Sequence, residues 1–128
     1  MLETRKKILC IEDDREAASL IAEDLADRGF DVSVAHDGQA GFTAILKDQP
    51  DLVVCDVNLP FMSGFELAER LSAAAPSLSG IPFVFLTALS DCESEARRRG
   101  SYVAKPIDFD KLETIIDAQL AEGVARSP

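Results

Sequence analysis

The chain has no tryptophan, one tyrosine, one histidine and three cysteines in 128 residues. Three cysteines make no disulfide framework and show no metal-ligand spacing, which fits a reducing compartment. Cys10 and Cys55 lie inside apolar runs and read as small hydrophobic residues. Cys92 reads as an exposed cysteine with no mark of reactivity. No apolar run approaches the ~20 residues that a membrane span needs. The start Met1-Leu2-Glu3-Thr4-Arg5 lacks the basic, apolar and small-residue layout of a signal peptide. A cytoplasmic protein with no membrane partner is therefore expected. Basic residues are scarce as well, 13 against 23 acidic ones, for a formal net charge of −10. Such a surface repels nucleic acid and anionic membranes, so no direct nucleic-acid contact is expected.

What is present is alternation. Apolar, β-branched-rich runs at 6–11, 31–35, 51–56, 82–86 and 101–104 read as strands. Between them, helical spacing predicts helices over 15–28, 39–47, 64–74 and 90–99, and a last one over 109–122 with Asp108 as N-cap. The expected inward faces are Ala18, Ile21, Ala22 and Leu25 in the first helix, and Ala40, Phe42, Ala44 and Ile45 in the second. Leu112, Ile115, Ile116 and Leu120 fill the same role in the last. The helix over 90–99 has the thinnest apolar face, Cys92 and Ala96. Five β-α repeats in this length imply one α/β domain with a doubly wound parallel sheet and helices on both faces. Residues 1–122 form that domain, and 123–128 read as a flexible tail or the start of a linker.

Four polar stretches end these runs: Glu12-Asp13-Asp14, Asp56, Thr87 and Lys105. Parallel strands deliver all four to one carboxyl edge, where open α/β sheets bind ligands. Asp13, Asp14 and Asp56 supply hard oxygen ligands of the kind Mg²⁺ takes, with a backbone carbonyl near Asn58 as a further one. Taken alone, Asp14 just ahead of a helix reads as an N-cap, at about two to one; taken with Asp56, it reads as a metal-site acid instead. Asp56 is the candidate nucleophile, since a carboxylate can accept a phosphoryl group as an acyl phosphate. The Thr87 hydroxyl and the Lys105 ammonium can meet the oxygens of that group beside the cation, and small Ala88 leaves the approach open. His36, beside Asp37-Gly38, reads as a turn residue. Arg97-Arg98-Arg99 reads as a basic helix end opposing the dipole.

With these residues in view, the chain resembles the receiver domain of two-component response regulators over essentially its whole length. The resemblance rests on Ile-Leu-Cys-Ile-Glu-Asp-Asp at 8–14, Asp56-Val57-Asn58-Leu59-Pro60 with Ser63-Gly64, Leu86-Thr87-Ala88, and Tyr102-Val103-Ala104-Lys105-Pro106. It implies the flavodoxin-like strand order 2-1-3-4-5. It implies Asp13 and Asp14 as metal-site acids, Asp14 the direct ligand, and the Asn58 carbonyl as another. Asp56 becomes the phosphoacceptor, Thr87 and Lys105 the phosphoryl sensors and Tyr102 an aromatic switch, with a cis peptide at Lys105-Pro106. The implied function is a signalling switch that takes its phosphoryl group from a histidine kinase or histidine phosphotransfer protein, with Mg²⁺, and then changes its affinity for a downstream protein. A phosphorylation-dependent homodimer is among the implied outputs. No enzymatic activity is implied beyond self-phosphorylation from a donor and slow self-dephosphorylation. One departure is visible: only 15 positions separate Thr87 from Tyr102, which shortens the fourth helix. Two other classes fit less well. A phosphotransferase with an aspartyl-phosphate intermediate needs an acid two positions after its nucleophile, where this chain has Asn58. A flavodoxin-like electron carrier needs a phosphate-cradling first loop, which Glu12-Asp13-Asp14 would oppose.

Overall fold

The structure, a computed structural model, describes residues 5–88 and 93–126. Five strands form one parallel sheet: β1 (Lys7–Ile11), β2 (Asp31–Ala35), β3 (Leu52–Asp56), β4 (Phe83–Thr87) and β5 (Ser101–Ala104), in the order β2-β1-β3-β4-β5. The helices are α1 (Arg15–Asp27), α2 (Gly38–Asp48), α3 (Gly64–Ala74), α4 (Glu93–Arg99) and α5 (Phe109–Arg126), with a 3₁₀ turn at Pro76–Leu78. Strand periodicity divides the core into two layers. Leu9, Ile11, Val53, Cys55, Phe83 and Phe85 face Ile45 of α2, Phe65, Leu67 and Leu71 of α3 and Ala96 of α4. Ile8, Cys10, Leu52, Val54, Val84 and Leu86 face Ile21 and Leu25 of α1 and Leu112 and Ile116 of α5. Both faces of β1, β3 and β4 are therefore covered, which is why those strands read as unbroken apolar runs.

Helix ends follow the expected chemistry. Asp108 caps α5, its Oδ1 accepting from the amides of Asp110 and Lys111 at 3.0 and 3.1 Å. Ser63 and Glu66 form a reciprocal capping box at the start of α3. Gly29, at φ +101°, ends α1 in a conformation that suits glycine. The Lys105–Pro106 peptide is cis.

Two helical expectations change in detail, the inward face of the second helix and the end of the fifth. In α2 it is Gly41 that is buried and Ala40 that is exposed. A Cβ at position 41 would meet Ile11 Cδ1 at 2.5 Å, so the helix packs by its smallest residue. Val34 is exposed because β2 is an edge strand. The fourth helix is described from Glu93 onward, and Cys92 with the rest of its expected first turn lies outside the described residues. The fifth helix runs to Arg126 instead of stopping at 122, and residues 127–128 of the expected tail are not among those described.

The loop from β3 to α3 carries one residue that breaks two rules at once. Phe61 is wholly exposed and has φ +70°, a left-handed conformation that costs an L residue roughly 1–2 kcal/mol. Glycine adopts it freely and loses no buried contact there, against a chain-entropy cost of about 0.5–1 kcal/mol. Phe61→Gly is therefore expected to raise the unfolding free energy by roughly 0.5–1 kcal/mol in a urea titration. A lower midpoint in the variant would mean that Phe61 makes a stabilising contact absent from this structure.

Candidate phosphoryl-acceptor site

Register explains which acids meet. β1 and β3 pair with Ile11 opposite Cys55, so the next step beyond β1 sets Glu12 beside Asp56. Both residues fall on the same side of the pleat, and both are buried. Asp13 follows and completes the group: single ligand oxygens of Glu12, Asp13 and Asp56 all lie within 4.8 Å of one another. The sheet edge is shaped for this approach. Gly64 N–H donates to the Val57 carbonyl at 2.9 Å, and a Cβ on Gly64 would stand 2.6 Å from the Asp56 carbonyl.

The two buried carboxylates are satisfied in the same way. Lys105 Nζ donates to Asp56 Oδ2 at 2.8 Å and to Glu12 Oε1 at 3.2 Å. The remaining oxygens accept backbone amides, Asp56 Oδ1 from Asn58 at 3.1 Å and Glu12 Oε2 from Asp14 at 3.2 Å. Burial and the neighbouring Asp56 charge hold the Glu12 carboxyl above the usual range, although the Asp14 amide and Lys105 pull it down. Burial would lower the Lys105 ammonium, but hydrogen bonds and charge from Asp56 and Glu12 outweigh it and raise its pKa. Burial also pushes the Cys10 thiol up to about 12 and the Cys55 thiol well above its ordinary value, so both are inert core residues.

Of the expected acids, Asp13 and Asp56 come together and Asp14 does not join them. Asp14 Oδ1 instead accepts the amides of Glu16 and Ala17 at 3.0 and 3.2 Å, capping α1. A cap of this kind is worth about 1 kcal/mol, and it fixes Asp14 Oδ1 on the first amides of α1. The acid that sequence reasoning passed over is Glu12. Counting strand positions from Ile11 and Cys55 was the signal that finds it. Asn58 contributes its amide to Asp56, as above. Thr87 is buried at the end of β4, one step past the Asp56–Leu86 pair, and its carbonyl accepts the Lys105 amide at 2.9 Å.

Tyr102 stands on β5 opposite Phe85, packed in part against the core layer that contains Phe85. Arg97 Nη2 donates to its hydroxyl at 3.1 Å, and the guanidinium carbon lies 5.5 Å from the ring centre. Arg99 pairs with Glu69 and Glu95 and sits over Phe65. Two of the three consecutive arginines thus fasten α4 to its surroundings as well as ending it. His36 occupies the turn between β2 and α2, with Nδ1 3.0 Å from the Glu12 carbonyl.

Hard oxygen donors, two of them buried and aimed at one point, fit a small divalent cation such as Mg²⁺. Comparison with known proteins gives the family. Residues 8–117 match the family described as the response regulator receiver domain. The transcriptional regulatory protein RprY of Bacteroides fragilis is 37% identical over 123 residues, covering 93% of this chain and 51% of that protein. The DNA-binding response regulator MtrA of Mycolicibacterium smegmatis is 36% identical, covering 91% of the chain and 51% of its own length. This chain thus spans about half the length of the curated relatives it matches. A crystal structure of a response regulator from Chloroflexus aurantiacus superposes with a TM-score of 0.85 at 28% identity, covering 92% of this chain and 99% of that one. The response regulator TrrA of Thermotoga maritima, solved in complex with Mg²⁺-BeF, has a TM-score of 0.80 at 26% identity, covering 89% and 98%. With its strand order, its acid cluster and this match in hand, the chain belongs to the receiver domain family of two-component response regulators.

Proposed function

We propose that this domain is a phosphorylation-dependent switch that accepts a phosphoryl group on Asp56 from a phosphohistidine donor. The observation that carries the reading is the environment of Asp56: a buried carboxylate at a strand end, touched by Lys105 and grouped with Glu12 and Asp13. In the transfer, an Asp56 oxygen bonds to phosphorus as the donor's phosphorus–nitrogen bond breaks, and the electron pair of that bond leaves with the imidazole. Lys105 exchanges part of its contact with the carboxylates for a phosphoryl oxygen, and the Thr87 hydroxyl meets another. Glu12, Asp13 and Asp56, with the Asn58 carbonyl as the family resemblance suggests, are the groups that would hold Mg²⁺. When bound, the ion supplies positive charge against the transferring oxygens and relieves repulsion among the acids. The chain's own chemistry is confined to gaining and slowly losing this group. The setting is the cytoplasm, the donor a histidine kinase or histidine phosphotransfer protein, and the output a changed affinity for a downstream protein. Among the described residues no helix is long and apolar enough to cross a membrane.

Intact-mass measurement after treatment with acetyl phosphate and Mg²⁺ tests the acceptor. The wild type is expected to gain one phosphate mass and Asp56→Ala none; a full gain in Asp56→Ala would overturn the assignment. The readout of the switch rests on Tyr102, the only tyrosine in a chain without tryptophan. Movement of Thr87 toward a phosphoryl oxygen frees space behind β4, and Tyr102 fills it by leaving Arg97, a packing change with two discrete states. Beryllofluoride with Mg²⁺ is expected to change Tyr102 emission in the wild type and to leave it unchanged in Thr87→Ala. Equal emission with and without beryllofluoride in the wild type would remove Tyr102 from the mechanism.

A further inference from the structure

The peptide joining Glu12 to Asp13 links two members of the acid group, and the end of β2 grips it. The Glu12 carbonyl of that peptide lies 3.0 Å from Nδ1 of His36, and one peptide earlier the Glu12 N–H donates to the carbonyl of Ala35, the residue before His36, at 3.0 Å. A carbonyl only accepts, so Nδ1 carries a hydrogen and the imidazole is the donor. The chain on either side of His36 is itself held in place. Asp37 caps α2 through the Ala40 amide at 2.7 Å, and Ala35 on the other side is buried.

Asp13 makes this grip matter. Glu12 and Asp56 each have Lys105 on one oxygen and a backbone amide on the other. Asp13 is exposed, and among the described residues no hydrogen bond or ion pair holds its carboxylate. Repulsion from two buried acids favours its swinging into water. Only the orientation of its backbone keeps it within reach of them, and the peptide plane before it is the one that His36 fixes.

We infer that His36 is a positioning residue for the acid cluster: its Nδ1–H holds the Glu12–Asp13 peptide and thereby aims the Asp13 carboxylate. The inference rests on the cation-holding reading of the cluster given above. It departs from the plain reading of His36 as a turn residue, which leaves the ring without a task.

The test is Mg²⁺ titration of the full chain followed by the amide signals of Glu12 and Asp13 in NMR spectra. His36→Ala is expected to bind Mg²⁺ roughly three- to tenfold more weakly, what one net hydrogen bond is worth. His36→Asn, whose Nδ2 donates from the position of Nδ1, is expected to stay within about twofold of the wild type. A role confined to stability would lower the melting temperature of both variants without separating their Mg²⁺ affinities. In the metal-free wild type the imidazole nitrogen shifts are expected to show a hydrogen on Nδ1, and in His36→Ala the Asp13 amide signal is expected to broaden. Equal Mg²⁺ affinity in His36→Ala and wild type, with binding lost in Asp13→Asn, would overturn the role of His36 and leave the metal site standing. A wild type that takes up no Mg²⁺ would overturn both.

Discussion

The Lys105 ammonium lies between two buried carboxylates that come from different strands, and the site depends on that contact. At 4.8 Å or less, a pair of carboxylates repels by roughly 3.5 kcal/mol or more at an effective dielectric near 20. The Lys105 contacts, at 2.8 and 3.2 Å, offset roughly 5–6 kcal/mol each on the same scale. Glu12 and Asp56 can therefore be buried side by side because Lys105 reaches both. Its reach is set by the fold: β5 ends at Ala104, opposite Thr87, and the next residue turns across the carboxyl edge. Formally, three carboxylates and one ammonium leave a charge of −2, which a divalent cation matches.

The rest of the domain works to hold that edge. Pairing register brings Glu12 level with Asp56, Gly64 lets α3 come against the Asp56 backbone, and Asp14 starts α1 immediately beyond the acids. The His36 contact is on the carbonyl of the Glu12–Asp13 peptide, and the Asp14 cap follows one residue beyond it. The loop carrying two acids is thus fastened at Glu12 and again at Asp14. A site whose ligands repel each other needs such fastening, because each acid left free moves toward solvent.

Much of this was legible in the sequence for physical reasons. Continuous apolar runs at β1, β3 and β4 announce strands covered on both faces, and five strand runs in all, alternating with helical spacing, leave few topologies. The capping role of Asp108 was plain from its place before a helical pattern. The choice between Glu12 and Asp14 was less plain, because Asp14 satisfies two patterns at once, a helix cap and an acid near a strand end. Only pairing register separates them, and register is a property of two strands together, while each sequence run describes one. The phase of α2 was hidden for a related reason. Gly41 is the inward residue because of Ile11 on another element, which helical spacing within α2 does not contain. His36 was read correctly as a turn residue, but its contact with Glu12 spans 24 positions and has no local signal.

The central claim is that Glu12, Asp13, Asp56 and Lys105 form one phosphoryl-accepting, cation-holding site. A crystal structure of the chain grown with Mg²⁺ and beryllofluoride addresses it most directly. The account predicts beryllium bonded to an Asp56 oxygen, Lys105 Nζ on a fluoride, and a cation touching Asp13 and Asp56 while Asp14 remains on the amides of Glu16 and Ala17. Beryllium on another carboxylate, or a cation held by Asp14 in place of Asp13, would contradict it.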